Sequence, residues 1–242
     1  MGGDMTIPLG NAASSYPHFG RPDGGEAFHA LMNNPELLHW YCENHDLNHA
    51  KMSTLPTGFS DNFILNPSIL YLTLLRFMST KYYGLKSLRQ RNKLTPILVV
   101  DRIRNGEGQF SDRRKMHGLC RNASFCKTAL NIGEKGLSHE AFLEQVISHR
   151  FILCTHGGGI DPSPKAWESI LLGTIPIIEH STLDDAYRKL PVVIVPSIAE
   201  FFAQGEAKCR KQMQNWMTEL SPYYDKGPQR DQVLYTLTTE YW

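Results

Sequence analysis

The stretch from Phe151 to Asp185 reads FILCTHGGGIDPSPKAWESILLGTIPIIEHSTLDD. It opens with Phe151-Ile152-Leu153-Cys154, a short continuous apolar run of the kind a parallel strand shows when both faces are covered. A glycine triplet follows, Gly157-Gly158-Gly159, and then a proline-bounded turn, Asp161-Pro162-Ser163-Pro164. A helix is predicted from Lys165 to Leu172, with Gly173 as its C-terminal stop. Ile175-Pro176-Ile177-Ile178 then returns as a second strand. Two such strands around one helix imply a parallel pair joined by a right-handed crossover.

The same rhythm extends in both directions. Pro191 to Val195 reads as a further strand, and Ile198 to Leu220 as largely helical. Upstream, Pro96-Ile97-Leu98-Val99-Val100 is another buried parallel strand. Ser111-Asp112 opens a helix running to about Asn122, and Ser138 caps one that ends at Ser148. The charged connector Lys86 to Lys93 (KSLRQRNK) marks the end of this regular pattern. The expected organisation is therefore an N-terminal unit, 1–88, and a C-terminal α/β domain, 89–242, with a parallel sheet flanked by helices.

The N-terminal unit is thinner. Its first 35 residues are rich in Gly, Pro, Asn and Ser and read as loop, with one short helix near Glu26 to Met32. Leu37 to Cys42 and Lys51 to Leu55 suit strands, and Ser68 to Leu75 a helix. No strand precedes the opening Gly-Gly-Asp turn, so a reduced or truncated first domain is expected.

Composition narrows the function classes. The chain has 242 residues, 41% of them hydrophobic, and a formal net charge of +1. That supports a real core and gives no basic excess for nucleic acid or anionic lipid. No apolar run reaches the roughly 18 to 20 residues that span a bilayer. Met1 is followed by Gly-Gly-Asp and not by a signal peptide, and the five cysteines include no CxxC pair. A reduced, cytoplasmic setting, or a soluble fragment of a longer protein, is the expectation.

The chemistry concentrates after the strand at Phe151. Ligands of open α/β sheets sit at the carboxyl ends of strands. Gly157, Gly158 and Gly159 let the backbone approach a bound group, and the next helix start offers N–H groups to a diphosphate. Lys165 adds a full charge there. Glu168, one turn inside that helix, reads either as an acceptor for two ribose hydroxyls or as a surface carboxylate favoured by the helix dipole. Trp167 reads as a core packing residue, with a place beneath the loop as the alternative. Arg102 and Arg104 follow an apolar strand at its carboxyl end and read as site cations or as solvated charges. Arg113 and Arg114 read as exposed. His39, Cys42, His45 and His49 would need one helix to gather around zinc, and a strand ending at Asn44 scatters them. Cys154 reads as a core cysteine.

Gly159-Ile160-Asp161, followed by Trp167-Glu168-Ser169-Ile170-Leu171-Leu172-Gly173-Thr174-Ile175-Pro176-Ile177-Ile178, resembles the C-terminal signature of exostosin-like glycosyltransferases. Leu190 to Val195 and Val100 to Arg104 fit the same pattern, and short viral and algal members are similar here. The loop from Asp161 to Lys165 departs in length and prolines from the animal exostosins, which leaves the donor sugar open. The resemblance implies a GT-B-like pair of Rossmann-like domains and a UDP-sugar donor. Glu168 would hold the ribose, Arg102 or Arg104 the diphosphate, with Lys165 supporting and Gly157 to Gly159 and Asp161 forming the donor loop.

Neither a cofactor nor a metal is expected. No Asp-x-Asp pair is present to hold a cation, and fixed cations with helix N–H groups can stabilise the leaving phosphate. A base for the acceptor hydroxyl would come from the first domain, with Asp4 preferred, Glu43 and Asp46 as alternatives and His45 behind them. The expected partners are a nucleotide-sugar donor and a glycan or glycoprotein acceptor. The alternative is a non-catalytic nucleotide- or glycan-binding module of the same fold. A Rossmann oxidoreductase is disfavoured, because no GxGxxG follows an early strand.

Overall fold

The computed structural model describes residues 26–46, 48–60, 97–103, 109–129, 131–132, 137–157, 159–238 and 240–241. The apolar runs of the C-terminal half form five parallel strands: β3 (Ile97–Val99), β5 (Cys126–Thr128), β7 (Phe151–Leu153), β8 (Ile175–Glu179) and β9 (Val193–Val195). They lie side by side in the order β5-β3-β7-β8-β9. After short breaks the β3 and β5 chains pair again, as β4 (Arg102–Ile103) and β6 (Asn131–Ile132). A five-stranded parallel sheet flanked by helices is the α/β architecture that the strand and helix alternation predicts, and it is compatible with a Rossmann-like fold.

Alternate residues of each strand point to opposite faces. Ile97, Val99, Phe151, Leu153, Ile175, Ile177, Val193 and Val195 share one buried core with Met116, Phe201, Met213 and Met217. The helices supplying those partners are α2 (Gln109–Arg121), α6 (Ile198–Ala203) and α7 (Glu206–Tyr224). Leu98, Val100, Ile152, Cys154 and Ile178 pack on the other face. There they meet α3 (His139–Ser148), α4 (Lys165–Leu171), α5 (Asp184–Tyr187) and α8 (Pro228–Thr236), through Leu143, Trp167, Tyr187 and Val233 among others. With both faces covered, the continuous apolar runs need no polar side.

Local signals set the helix ends. Ser138 caps α3 by accepting a hydrogen bond from the Ala141 amide at 3.2 Å. Gly173, at φ +81°, takes the left-handed conformation that turns the chain out of α4 into β8.

The N-terminal part contributes α1 (Glu26–Asn33) and a two-stranded parallel sheet, β1 (Trp40–Cys42) with β2 (Met52–Thr54). Phe28, Met32, Cys42 and Met52 form its own small core. The strand expected from Leu37 starts only at Trp40, and Leu38 is 86% exposed. The expected helix at 68–75 and the domain boundary at 88/89 lie outside the described residues. Among the described residues no helix is long and apolar enough to cross a membrane.

One expectation is corrected. Cys120, at the end of α2, and Cys126, at the start of β5, form a disulfide. Such bonds persist in oxidising surroundings, so this pair runs against the reduced setting read from cysteine spacing. Cys42, Cys154 and Cys209 are free and buried. Burial pushes the Cys154 thiol up to about 12, as befits an inert core residue.

Candidate functional site

In chain order the five strands run 2-1-3-4-5 across the sheet. The order reverses between β3 and β7, and the carboxyl ends of those two strands frame the crevice where such sheets bind ligands. Asp101 follows β3 there, and Thr155 and His156 follow β7.

Asp101 is almost fully buried. Its Oδ1 accepts hydrogen bonds from Thr155 Oγ1 at 2.9 Å and from the Lys165 ammonium. Lys165 also donates to the Val100 carbonyl at 3.1 Å, and Arg113 Nε lies 4.0 Å from Oδ1. Burial alone would raise this carboxyl, but Lys165, Arg113 and Thr155 together hold it below the ordinary carboxylate range. His117, one turn beyond Arg113 on α2, is buried and pushed towards its neutral form by desolvation.

The loop after β7 is held differently. Asn44, from the N-terminal unit and at φ +49°, accepts hydrogen bonds at Oδ1 from the Ile160 and Asp161 amides, at 2.9 and 2.8 Å. A Cβ on Gly159 would come within 2.3 Å of that oxygen. Asp161 is buried and accepts from Tyr187 Oη at 2.9 Å, from the Ser163 amide at 2.7 Å and from Thr57. Glu168, also buried, accepts from Ser60 Oγ at 2.7 Å and from the Ser60 amide. Burial raises both acids, and the hydrogen bonds offset this only in part. Phe59 packs edge-on against Trp167, with ring centroids 6.2 Å apart.

Beside this loop lies a cleft of about 350 Å³ at the ends of β7 and β8. Its charged and imidazole side chains are Asp112, Lys115, His156, Glu179 and His180. His156 is engaged at both ring nitrogens, Nδ1 with the Gly157 carbonyl at 3.0 Å and Nε2 with Asp112 Oδ2 at 3.3 Å.

The structure brings Gly157, Gly159, Asp161, Lys165 and Glu168 into one region, and Glu43 and Asp46 flank the Asn44–His45 pair that docks there. Asn44 takes the loop amides of Ile160 and Asp161, because two buried donors need an acceptor. Two expected roles change. Lys165 is paired with Asp101 and is not a free cation, since a carboxylate this deeply buried needs an opposite charge. Arg113 is not exposed. Its side chain is 13% accessible, and it also donates to the His156 carbonyl at 3.3 Å. Glu168 is not the surface carboxylate of the alternative reading. Asp4, Arg104 and Gly158 lie outside the described residues, and the Arg102 side chain is not described.

Asp101, Thr155, Asn44 and Ser60 carry much of this geometry, and the sequence reading assigns none of them to the site. For Asp101 a signal was present, because it follows an apolar strand at its carboxyl end, as Arg102 does. Among the described residues no group of three His, Cys, Asp or Glu side chains is placed to hold a metal ion. No protein-family model matches the chain, and no curated protein matches it either.

Proposed function

We propose that the chain is a nucleotide-sugar-dependent glycosyltransferase of the GT-B kind, similar to the exostosins, that moves a sugar from a UDP-sugar to a glycan acceptor. The observation carrying this reading is the pair of donors on Glu168. The hydroxyl and amide of Ser60 both point at one buried carboxylate whose burial is incompletely compensated. Two adjacent hydroxyls of a ribose present the same two donors, so a nucleoside can take the place of Ser60. The diphosphate then extends over the carboxyl ends of β7 and β8. There Lys115, which also pairs with Asp112 at 3.2 Å, and Lys165, paired with Asp101, are the cations offered to a leaving phosphate without a metal.

Thermal shift with UDP and UDP-sugars tests this, because a ligand bound only by the folded state raises its stability by mass action. UDP is expected to stabilise the protein, and Glu168→Gln to weaken UDP binding by about 1.5–3 kcal/mol, the worth of hydrogen bonds to a charged group. Ser60→Ala, which removes the competing hydroxyl, is expected to leave binding intact or strengthen it. An unchanged UDP affinity in Glu168→Gln removes Glu168 from the donor site.

A second reading keeps the binding and drops the catalysis. It is favoured by Asn44, which already occupies the loop amides that a diphosphate would use. Release of UDP from a UDP-sugar separates the two.

A further inference from the structure

We propose that His180, held in place by Asp184, accepts the proton of the attacking hydroxyl in sugar transfer. The inference rests on the glycosyltransferase reading and replaces Asp4, Glu43 and Asp46 in that role.

The position of His180 is fixed by its backbone. It follows Glu179, the last residue of β8, and its amide donates to the Val195 carbonyl at 2.8 Å, which keeps the chain beside β9 as it leaves the sheet. The side chain then meets Asp184, the first residue of α5, with Nδ1 2.6 Å from Oδ2. Asp184 is anchored in turn. Its Oδ1 accepts from the Ser181 amide at 3.0 Å, its Oδ2 also takes Arg188 Nη2 at 3.0 Å, and its side chain is 6% accessible.

A carboxylate only accepts, so Nδ1 of His180 carries the hydrogen in this bond and Nε2 of the neutral ring is left with its lone pair. Nε2 meets no partner among the described residues, the ring is 65% accessible, and His180 lines the cleft beside the glycine loop. An imidazole fixed by a buried acid, with its second nitrogen open to a cleft, is the arrangement of a general base and its orienting group. The other cleft histidine is unsuited, because both nitrogens of His156 face acceptors. Glu43 and Asp46 do not line this cleft.

The step balances without a co-reactant. The acceptor hydroxyl oxygen bonds to the anomeric carbon as the bond from that carbon to the phosphate oxygen breaks. The bonding pair leaves with the nucleoside diphosphate. The hydroxyl proton moves to Nε2 of His180, Asp184 stabilises the imidazolium, and the proton is later lost to solvent. Attack opposite the leaving group inverts the anomeric centre.

Water can serve as the acceptor, so UDP release from UDP-glucose and UDP-N-acetylglucosamine is a sufficient assay. The release rate in His180→Gln is expected to fall by ~10²- to 10⁴-fold, with the UDP-induced thermal shift unchanged. Added imidazole is expected to restore part of the rate in His180→Gly and none in Glu168→Gln. Asp185→Asn, 93% accessible at its side chain and outside the pair, is expected to keep the wild-type rate. A near-normal rate in His180→Gln overturns the proposal. So does a lost UDP shift in that variant, which would make His180 a donor contact. If the wild-type protein neither binds UDP nor releases it from either sugar, the glycosyltransferase reading itself has failed.

Discussion

The loop between β7 and α4 is bordered by two kinds of buried acid. On the β3 side Asp101 is surrounded by charge, with Lys165 bonded to it and Arg113 beside it. On the N-terminal side Asp161 and Glu168 are surrounded by hydroxyls and amides from Tyr187, Thr57 and Ser60. Burial is similar in all three, yet the first is held below the ordinary carboxylate range and the other two above it. A paired acid is an anchor, because removing it strands a buried cation. An acid held by neutral donors tolerates exchange of those donors for others of the same kind. The difference makes Asp101 an anchor of the switch point and supports the proposal that Glu168 meets a ligand.

The largest effect should come from breaking the anchor. Asp101→Asn leaves Lys165, whose side chain is 17% accessible, without its counter-charge. Removing one partner of a buried pair costs about 3–5 kcal/mol. For a chain of this size that lowers the melting temperature by roughly 6–20 °C, measured by calorimetry or circular dichroism. The isosteric Glu168→Gln should change it far less at neutral pH. Equal losses in the two variants would erase the distinction between the acids.

A smaller effect tests how the N-terminal unit is tied to the loop. Gly159→Ala places a methyl group 2.3 Å from Asn44 Oδ1, so the Asn44 side chain must withdraw. Two buried amides, those of Ile160 and Asp161, then lose their acceptor, at a cost of about 1–3 kcal/mol. Asn44→Ala should cost a similar amount, and the double variant should cost less than their sum, because both remove the same bonds. Hydrogen exchange at Ile160 and Asp161 is expected to rise in each. Additive losses would show that Gly159 and Asn44 act separately.

The sequence was most legible where one local signal sufficed. Phe151–Leu153 and the first four residues of β8 are apolar without interruption because both faces are covered, and Gly173 and Ser138 mark helix ends by their own backbone needs. β5 was not found. It is an edge strand of three residues, Cys126-Lys127-Thr128, with Lys127 exposed, and no run of apolar residues announces it. The glycine loop and its neighbours Lys165 and Glu168 were legible as a cluster, but their bonding was not. Asn44 and Ile160 are 116 residues apart, and Ser60 and Glu168 are 108 apart. Such pairings depend on how two units dock, which residue order alone does not encode. Cys120 and Cys126 belong to the same class of miss at short range, since only the turn between α2 and β5 brings the sulfurs together.

The smallest effect is the pH dependence of the two isosteric variants, and it separates the two kinds of acid by sign. The folded-state value of Asp101 is depressed, so its stabilising contribution is present above the unfolded value of about 3.9 and is lost as pH falls through the folded value. Asp101→Asn should therefore melt below the wild type at pH 7, and the gap should narrow in acid. Glu168 is raised by burial, and the folded protein binds its proton more tightly than the unfolded chain does. The stabilisation from that proton is complete below about pH 4.3 and is lost as pH rises through the folded value. Above that value the wild type carries a buried charge that Glu168→Gln does not. The Gln variant should thus gain on the wild type as pH rises from about 4 to 8, opposite in sign to the change of the Asn variant, which falls below about pH 3.9. Melting curves of the three proteins from roughly pH 2 to 8 give both gaps, the Asp101→Asn gap closing at the acid end and the Glu168→Gln gap shifting above about pH 4.3. A Glu168→Gln gap that follows the sign of Asp101→Asn would mean that Glu168 is charge-compensated in the folded protein. It would then be a second anchor, and the ribose would have to be held elsewhere.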